Sequence, residues 1–404
     1  MSADIETDCI PPSRHSNNNL VKGKIDMKIK TSVRAVDIPV NHNRTITSMI
    51  VLTLMVALGG SAKAAEAAWA NRTAERCTVE TGQRFINEGR YEHAIREFTC
   101  VINAQPTEVE GYRGRSEARL LLGQYSDAYR DYALVTALVL PARPDAEEAI
   151  LAGYAARLAI APEDIPALTG ASFASWVFFD YASAISLLDR LLGVRPDDVY
   201  GVLFRGSSRL LKGVTRAGGV ADLERAIALA PHSPDVRFIV ADAYTYGLPD
   251  PERAFAEATR ALEWGLDTPR VHAILASAHL AFGDALAAAA HIQRHIELVT
   301  TELVPISPID AGASLALDLA PGRTYEILVT AIAGESISIT TRSRDFTDTI
   351  LVLLAPDGSP VVGSDDYKKF FAGIKWVASG TGTYRLRVTS FESVNTGVLV
   401  VKRD

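Results

Sequence analysis

The sequence predicts a multidomain α and β protein, in which an all-α solenoid of helical hairpins precedes an all-β sandwich. Residues 89–101, GRYEHAIREFTCV, return 34 positions later as residues 123–135, GQYSDAYRDYALV. A fixed period of that length indicates an array of similar units rather than one closed core. After Glu302 the apolar residues change from helical spacing to alternation, and alanine gives way to Thr, Val, Ile and Ser, which favours strands.

The composition limits the class of protein. The chain has 404 residues, of which 48% are hydrophobic, so it can bury the cores of two or three domains. Residues 1–64 carry a small excess of Lys and Arg, whereas the remainder is acidic and brings the net charge to −7. An acidic body lacks the basic face that nucleic acid requires, so we expect no nucleic-acid partner.

Residues 1–64 have the layout of a secretory signal peptide with a long basic flank. The apolar run Met49–Leu58 follows basic residues and precedes a small-residue end, Ala-Lys-Ala at 62–64. A membrane-spanning helix needs about 20 apolar residues, and this run is shorter. We expect an exported protein, periplasmic or extracellular, that begins near Ala65. An uncleaved membrane anchor is the alternative, and translation could start at Met27.

Two cysteines follow the expected cleavage point, Cys77 and Cys100. They fall on opposite helices of the first predicted hairpin, equally far from its turn. Export permits a disulfide between them. The alternative is a pair of buried free thiols.

Each unit of the array, which is predicted to span residues 65–302, reads as two helices joined by a turn glycine. The order of small, bulky and turn residues resembles the tetratricopeptide repeat, at Gly82, Phe85, Gly89, Ala94, Phe98 and Pro106. The second unit departs from that pattern in its first helix, at Arg115, Ser116 and Arg119. We expect about six units, with residues 142–162 as a degenerate half-unit.

The tetratricopeptide resemblance implies a ligand site. In that family the first helices line a concave groove that holds a protein or peptide, and Lys and Asn often clamp the peptide's terminal carboxylate. The groove candidates here are Gln83, Asn87, Arg113 and Glu117. This mixture does not make a carboxylate clamp, and the alternative is that the four are ordinary solvated residues.

Histidines cluster near the end of the array. His291 and His295 are four residues apart on a predicted helix, a spacing that can hold a metal ion. No glutamate follows His291 in the manner of a zinc protease. We therefore favour packing or surface histidines over a metal site.

Residues 311–404 are predicted to form the sandwich, after a stiff linker at residues 303–310 that contains Pro305 and Pro308. Turn residues such as Pro356-Asp357-Gly358 separate short alternating runs. Eight strands are expected, near 314–319, 324–330, 335–341, 349–354, 360–363, 371–378, 383–390 and 397–402.

This stretch resembles the bacterial pre-peptidase C-terminal domain, a jelly-roll-like module of exported proteins. The resemblance lies in DTILVL, PDG, SDD and GTGTYRLRV, which begin at residues 348, 356, 364 and 380. It implies an accessory module, often beside a secreted peptidase and sometimes removed. Four carboxylates are expected at strand ends and could hold Ca²⁺, the alternative being that they cap turns: Asp345, Asp348, Asp365 and Asp366.

The sequence contains no phosphate-binding glycine loop, G-x-S-x-G elbow, H-E-x-x-H helix or paired zinc cysteines. We therefore expect a non-catalytic interaction scaffold without a required cofactor. Its array would bind a protein or peptide, and its β-domain a second partner, a surface or an extracellular polymer. Membrane contact would be transient, through the signal segment. The alternative is an accessory or processing factor for a secreted enzyme, and a weaker one is a hydrolase with an unfamiliar site.

Overall fold

The computed structural model describes residues 77–139, 146–213, 215–320, 322–343, 348–364, 372–391 and 397–403. The predicted signal segment lies outside these ranges. The described residues form a helical array followed by two β-sheets, which confirms the predicted fold class.

Thirteen helices lie within the described ranges. Most of them form successive hairpins, and α5 stands between the second hairpin and the third. The helices are α1 (Val79–Asn87), α2 (Tyr91–Ala104), α3 (Val109–Leu121), α4 (Tyr125–Val139), α5 (Ala146–Ile160), α6 (Ile165–Val177), α7 (Tyr181–Val194), α8 (Val199–Leu211), α9 (Arg216–Leu229), α10 (Pro234–Tyr246), α11 (Pro251–Glu263), α12 (Pro269–Ala281) and α13 (Ala285–Val299).

Local sequence explains where these helices begin and how they turn. Asp198, for example, accepts a hydrogen bond from the Gly201 amide and caps α8, and Ser233 caps α10 in the same way. Gly89 and Gly123 have φ values of 71° and 76°, a conformation that suits glycine at the end of a helix. The repeated glycine in the sequence thus marks the turn of each of the first two hairpins.

Neighbouring hairpins pack through an aromatic ring that fits against glycines. The Phe98 ring of α2 is fully buried, and a Cβ added at either Gly82 of α1 or Gly114 of α3 would overlap it. The small residues therefore let three helices approach a single large side chain.

The array departs from regular stacking between α3 and α6. The Tyr154 ring of α5 lies against Gly170 of α6. This contact repeats that of the Phe98 ring with Gly114 of α3, and in both pairs the glycine follows the aromatic residue by 16 positions. The helix α5 thus takes the place that the second helix of the second hairpin would hold against α6. The degenerate half-unit expected at 142–162 corresponds to this helix.

After α13 the described residues contain nine strands: β1 (Glu302–Ile306), β2 (Ser314–Leu319), β3 (Arg323–Ala331), β4 (Ser336–Ser343), β5 (Thr349–Leu354), β6 (Pro360–Ser364), β7 (Gly373–Val377), β8 (Gly382–Ser390) and β9 (Gly397–Arg403). They form one sheet in the order β1-β3-β8-β5-β6 and a second in the order β2-β9-β4-β7. Apolar residues of both sheets share one buried cluster, so the two sheets form a sandwich.

The linker expected at residues 303–310 is wrong over its first part, because β1 occupies Glu302–Ile306. This strand pairs in parallel with β3, with Glu302 opposite Arg323 and an ion pair of 2.9 Å between their side chains. Pro305 lacks an N–H group, but β1 is at the edge of its sheet, where a proline is tolerated. The sheet therefore begins three residues after α13 ends.

The array and the sandwich share an apolar core. Every residue of β5 is buried, which requires cover on both faces of the strand. Leu351 and Leu353 belong to the core of the sandwich. The alternate residues contact the last hairpin in a separate cluster, formed by Ala273, Ala276, Ala289, Ile292, Ile296, Ile350, Val352, Leu354 and Phe391.

A disulfide joins Cys77 to Cys100, whose Cα atoms are 5.9 Å apart. It ties Cys77, which lies two residues before α1, to α2. Reduction is expected to lower the free energy of unfolding by about 3 kcal/mol, because the bond restricts the unfolded chain. Urea denaturation with and without reductant measures the difference. Mass spectrometry of the unreduced protein should find no free thiol at either residue, and two free thiols would contradict the bond.

Candidate functional site

The first helices of the last four hairpins present a shared surface, here called the first-helix face. It is defined by Phe173 and Trp176 of α6, Tyr200 and Phe204 of α8, Asp235 of α10 and Arg270 of α12. A concave groove would leave such a surface open to a ligand. In this structure the helix α4 of the second hairpin lies across it.

The helix α4 contacts the face through three tyrosines at the spacing of one helix side. Tyr125 lies edge-on to Phe204 with ring centroids 5.5 Å apart. Tyr129 meets Trp176 at 6.1 Å, and Tyr132 meets Phe173 at 5.5 Å. Such edge-to-face pairs add about 0.5–1.5 kcal/mol each beyond their burial. The three tyrosines of α4 therefore pack against the first-helix face.

The face also holds the N-terminus of α4. The carboxylate Oδ1 of Asp235 accepts a hydrogen bond of 2.7 Å from the amide of Ser126, at the start of α4. A helix N-terminus has unpaired amides and a partial positive charge, so a carboxylate there is favourable. Burial nevertheless raises the pKa of Asp235. A residue of α10 thus acts as the cap of a helix that begins 110 residues earlier.

A second polar contact fixes the middle of α4. Arg270 Nη1 of α12 donates to the Tyr129 hydroxyl at 3.1 Å, and Arg270 Nε donates to Asp242 of α10 at 3.0 Å. The guanidinium also lies 5.0 Å from the centre of the Tyr129 ring. Together with Asp235, this arginine sets the direction and register of the helix on the face.

The opposite side of α4 is tied to α3 by a buried carboxylate. Asp131 is 1% exposed and accepts bonds of 2.6 Å from Arg115 Nη2 and 2.5 Å from Arg119 Nη1. These arginines stand where the sequence departs from the repeat pattern, and Ser116 between them donates to the Ala128 carbonyl at 2.9 Å. The residues that depart from the repeat pattern thus form a buried ion cluster between α3 and α4.

The same arrangement recurs two hairpins later. Asp222 of α9 accepts bonds of 2.8 Å from Arg205 Nη2 and 2.6 Å from Arg209 Nη1, both on α8. In both cases two arginines four residues apart on the first helix meet one aspartate on the second. The R-x-x-x-R spacing was a sequence signal for this contact.

The structure does not place the four predicted groove residues on one open surface. Glu117 is 1% exposed, and its carboxylate faces Arg157 Nη1 at 3.3 Å and the Tyr154 hydroxyl at 3.4 Å. Burial raises the pKa of Glu117, although Arg157 and Arg113 act in the opposite direction. The expectation that Glu117 lies on a groove surface is therefore wrong, because α5 covers it.

The other three candidates lie nearer the surface. Arg113 is half-buried, pairs with Glu110 and stacks 5.2 Å from the centre of the Tyr154 ring. Gln83 donates to Asn87 at 3.5 Å on α1. Asn87 lines a cleft of about 860 Å³ between the end of α1 and the turn from α5 to α6. That cleft lies away from the first-helix face.

The histidines pack within the last hairpin. His272 Nδ1 and His291 Nδ1 are 2.8 Å apart, a hydrogen-bond distance, and His272 Nε2 faces Asp267 at 2.9 Å. The ring of His279 stacks on that of His291. His295 points elsewhere, toward the carbonyl oxygens of Pro269 and Phe391 at 2.9 Å each. His291 and His295 therefore do not converge, and the packing interpretation accounts for both.

His295 predicts a loss of stability in acid. Burial lowers its pKa from 6.5 to about 4, although the two carbonyl oxygens favour the protonated ring. As the pH falls, the ring takes up a proton in the unfolded state before it does so in the folded state. The neutral ring therefore contributes its full stabilisation of the fold above pH 6.5, and this stabilisation is lost as the pH falls to about 4. It amounts to about 3 kcal/mol.

Urea denaturation at about pH 7.5 and about pH 4.5 measures this loss in the wild type and in His295→Gln. The variant should lose clearly less stability between the two conditions. His272 and His291, whose pKa values are also lowered by burial, contribute to both proteins alike. Equal losses in the two proteins would show that His295 is not the cause.

Of the four candidate calcium ligands, the structure describes one. Asp348 precedes β5, whereas Asp345, Asp365 and Asp366 lie outside the described ranges. Within those ranges no three His, Cys, Asp or Glu side chains are arranged to hold a metal ion. The Ca²⁺ site therefore stays a prediction. None of the described helices combines the length and apolar character that crossing a membrane requires.

No protein-family model matches the chain, and no curated protein matches it. Solved structures resemble parts of it. A tetratricopeptide-repeat protein from Thermus thermophilus is 22% identical, with 50% of this chain and 97% of its own chain covered and a TM-score of 0.32. PilW, a type IV pilus biogenesis factor, is 14% identical, with 56% and 91% covered and a TM-score of 0.32.

The β-domain has a neighbour of its own. The pre-peptidase C-terminal domain of a Bacillus anthracis collagenase is 13% identical, with 26% of this chain and 95% of that chain covered and a TM-score of 0.22. These are likenesses of fold over parts of the chain. The helices and strands of the protein itself form the hairpin array and the sandwich.

Proposed function

We propose that the protein is an exported, non-catalytic interaction scaffold, whose array holds a partner protein and whose β-domain contacts a second partner, a surface or an extracellular polymer. The observation that carries the proposal is the first-helix face. Its aromatic side chains, a capping carboxylate and an arginine together hold one helix in a defined direction. A surface built in this way recognises protein helices.

Two further features support export and a binding role. The disulfide between Cys77 and Cys100 belongs to the kind that persists in oxidising compartments. The charged groups of the face, Asp235 and Arg270, are fixed by hydrogen bonds to neighbouring helices, which suits recognition of a partner.

The test is a pull-down from the exported fraction of the native cell with the chain from Ala65 onward as bait. A parallel bait carries Asp235→Ala and Arg270→Ala on the face. A matched control carries Glu224→Ala on α9, where the side chain is 64% exposed. We expect a protein partner that the wild type and the control retain and the face variant loses. Equal recovery by all three baits would place binding elsewhere, and recovery of no partner would count against a scaffold.

A further inference from the structure

We propose that the first-helix face is the docking site for an amphipathic helix of a partner protein, and that α4 occupies it in cis until such a helix arrives. The partner helix would carry aromatic side chains at i, i+4 and i+7 and direct its N-terminal turn at Asp235. This inference rests on the proposed scaffold function and names the class of its ligand.

The helix α5, rather than α4, packs against the glycine of α6. The Tyr154 ring of α5 fills the place against Gly170 of α6 that a regular second helix would fill. The face is also continuous over four hairpins, whereas α4 belongs to only one of them. Residues of α6, α8, α10 and α12 thus supply the surface, and α4 is held on it by contacts with all four helices.

The face is built to hold a helix end. Asp235 supplies a carboxylate to amides at the start of α4, and Arg270 supplies a donor to the hydroxyl of Tyr129. Both contacts use groups that any helix with a suitable tyrosine can offer, since the first involves only the backbone. The recognition is therefore transferable from α4 to another chain.

The fit of α4 is imperfect at one point. The hydroxyl of Tyr132 is buried and has no hydrogen-bond partner among the described residues. Burying an unpaired hydroxyl is unfavourable, so phenylalanine at this position of a helix would bind the face more tightly. A partner with phenylalanine at i+7 can therefore compete with a helix that is present in the same chain.

Competition sets the scale of the expected effect. A segment tethered in the same chain acts at an effective concentration in the millimolar range, so a partner must bind much more tightly than α4 or α4 must be weakened. The apparent affinity of the partner falls in proportion to the fraction of chains whose face is free.

The experiment uses a fluorescent, N-acetylated peptide of residues 123–139 with phenylalanine in place of Tyr132. It is titrated into the wild-type chain and into a variant with Tyr125→Ala and Tyr132→Ala, in which Asp131 still holds α4 to α3. We expect the variant to bind the peptide at least about tenfold more tightly. Adding Asp235→Ala should weaken that binding about tenfold or more, because the capping carboxylate is lost. Glu224→Ala should leave it unchanged.

Several results would overturn the inference. One is a loosened variant that keeps its circular dichroism but does not bind the peptide. Another is a peptide affinity that does not change with Asp235→Ala or with removal of the aromatic residues from the peptide. A loosened variant that dimerises by exchange of α4, seen by size-exclusion chromatography, would make a second copy the occupant instead. If the pull-down captures a partner that the peptide does not displace, this inference is wrong but the proposed scaffold function is still supported.

A milder variant keeps the test decisive if the loosened chain unfolds. Tyr132→Phe removes the unpaired hydroxyl and is expected to seat α4 more firmly. Amide hydrogen exchange of α4 should slow about fivefold, and the peptide should bind about fivefold more weakly than it binds the wild type. Unchanged exchange and unchanged peptide binding would contradict the competition.

Discussion

Replacing Asp131 with alanine is expected to lower the free energy of unfolding by about 3–5 kcal/mol, because it leaves two arginines buried without their carboxylate. Asp131 is the shared partner of Arg115 and Arg119, whose side chains are 14% and 18% exposed. The loss should be largest in the α3–α4 hairpin, since the carboxylate joins its two helices.

Urea denaturation followed by circular dichroism measures the loss. Asp127→Ala is a matched control, because Asp127 lies on the same helix, 4.0 Å from Arg119, but is 43% exposed. An exposed ion pair contributes about 1 kcal/mol at most, so this change should have a small effect. Equal losses for the two aspartates would show that burial of the ion cluster does not determine its contribution.

Replacing Ile292 with alanine is expected to destabilise both parts of the protein by about 2–5 kcal/mol. Ile292 of α13 is fully buried against β5 and β6, and a Cβ at Gly363 would lie 3.0 Å from its Cδ1 atom. Because this core includes residues of α12, α13 and β5, we expect the array and the sandwich to unfold in one transition.

Hydrogen exchange, read separately for the amides of α8 and of β8, tests both statements. The slowest amides of the two elements should lose protection together in Ile292→Ala. Ile160→Ala makes the same chemical change at a side chain that is 88% exposed and should leave protection unaltered. Loss of protection in β8 alone would show that the two parts unfold independently.

The elements of the fold could be predicted from the sequence because each follows from local pattern. Turn glycines, capping residues and the change to alternation mark the hairpins and the eight strands of the sandwich that were expected. The ninth strand was missed because Pro305 suggested a linker, and an edge position removes that objection.

The packing of α4 on the first-helix face could not be predicted. Residues 123–135 repeat the pattern of residues 89–101, so the sequence indicated that the two helices would pack in the same way. A periodic pattern fixes which side of a helix is apolar but not which surface covers it. One signal was nevertheless available, because Tyr154 precedes Gly170 by the same interval as Phe98 precedes Gly114.

The contact between the array and the sandwich also had a sequence signal. The run TILVLL at 349–354 lacks the alternation of a strand with one exposed face.

Glu117 shows the limit of carrying residue positions from a family. The position matches a groove residue only if the next helix stacks in the regular way. In this chain α5 brings Tyr154 and Arg157 against Glu117 and buries it. The inserted helix changed the surroundings of a residue whose own helix was predicted correctly.

The shared core of α13 and β5 has a consequence for proteolytic maturation. A protease that cut between Val299 and Glu302 would leave Ile292 and Ile296 on one fragment and Val352 on the other. Release of the sandwich would then expose an apolar surface on each fragment, which favours aggregation over a free, active array. The sandwich is therefore better suited to remain attached to the array than to be removed by proteolysis.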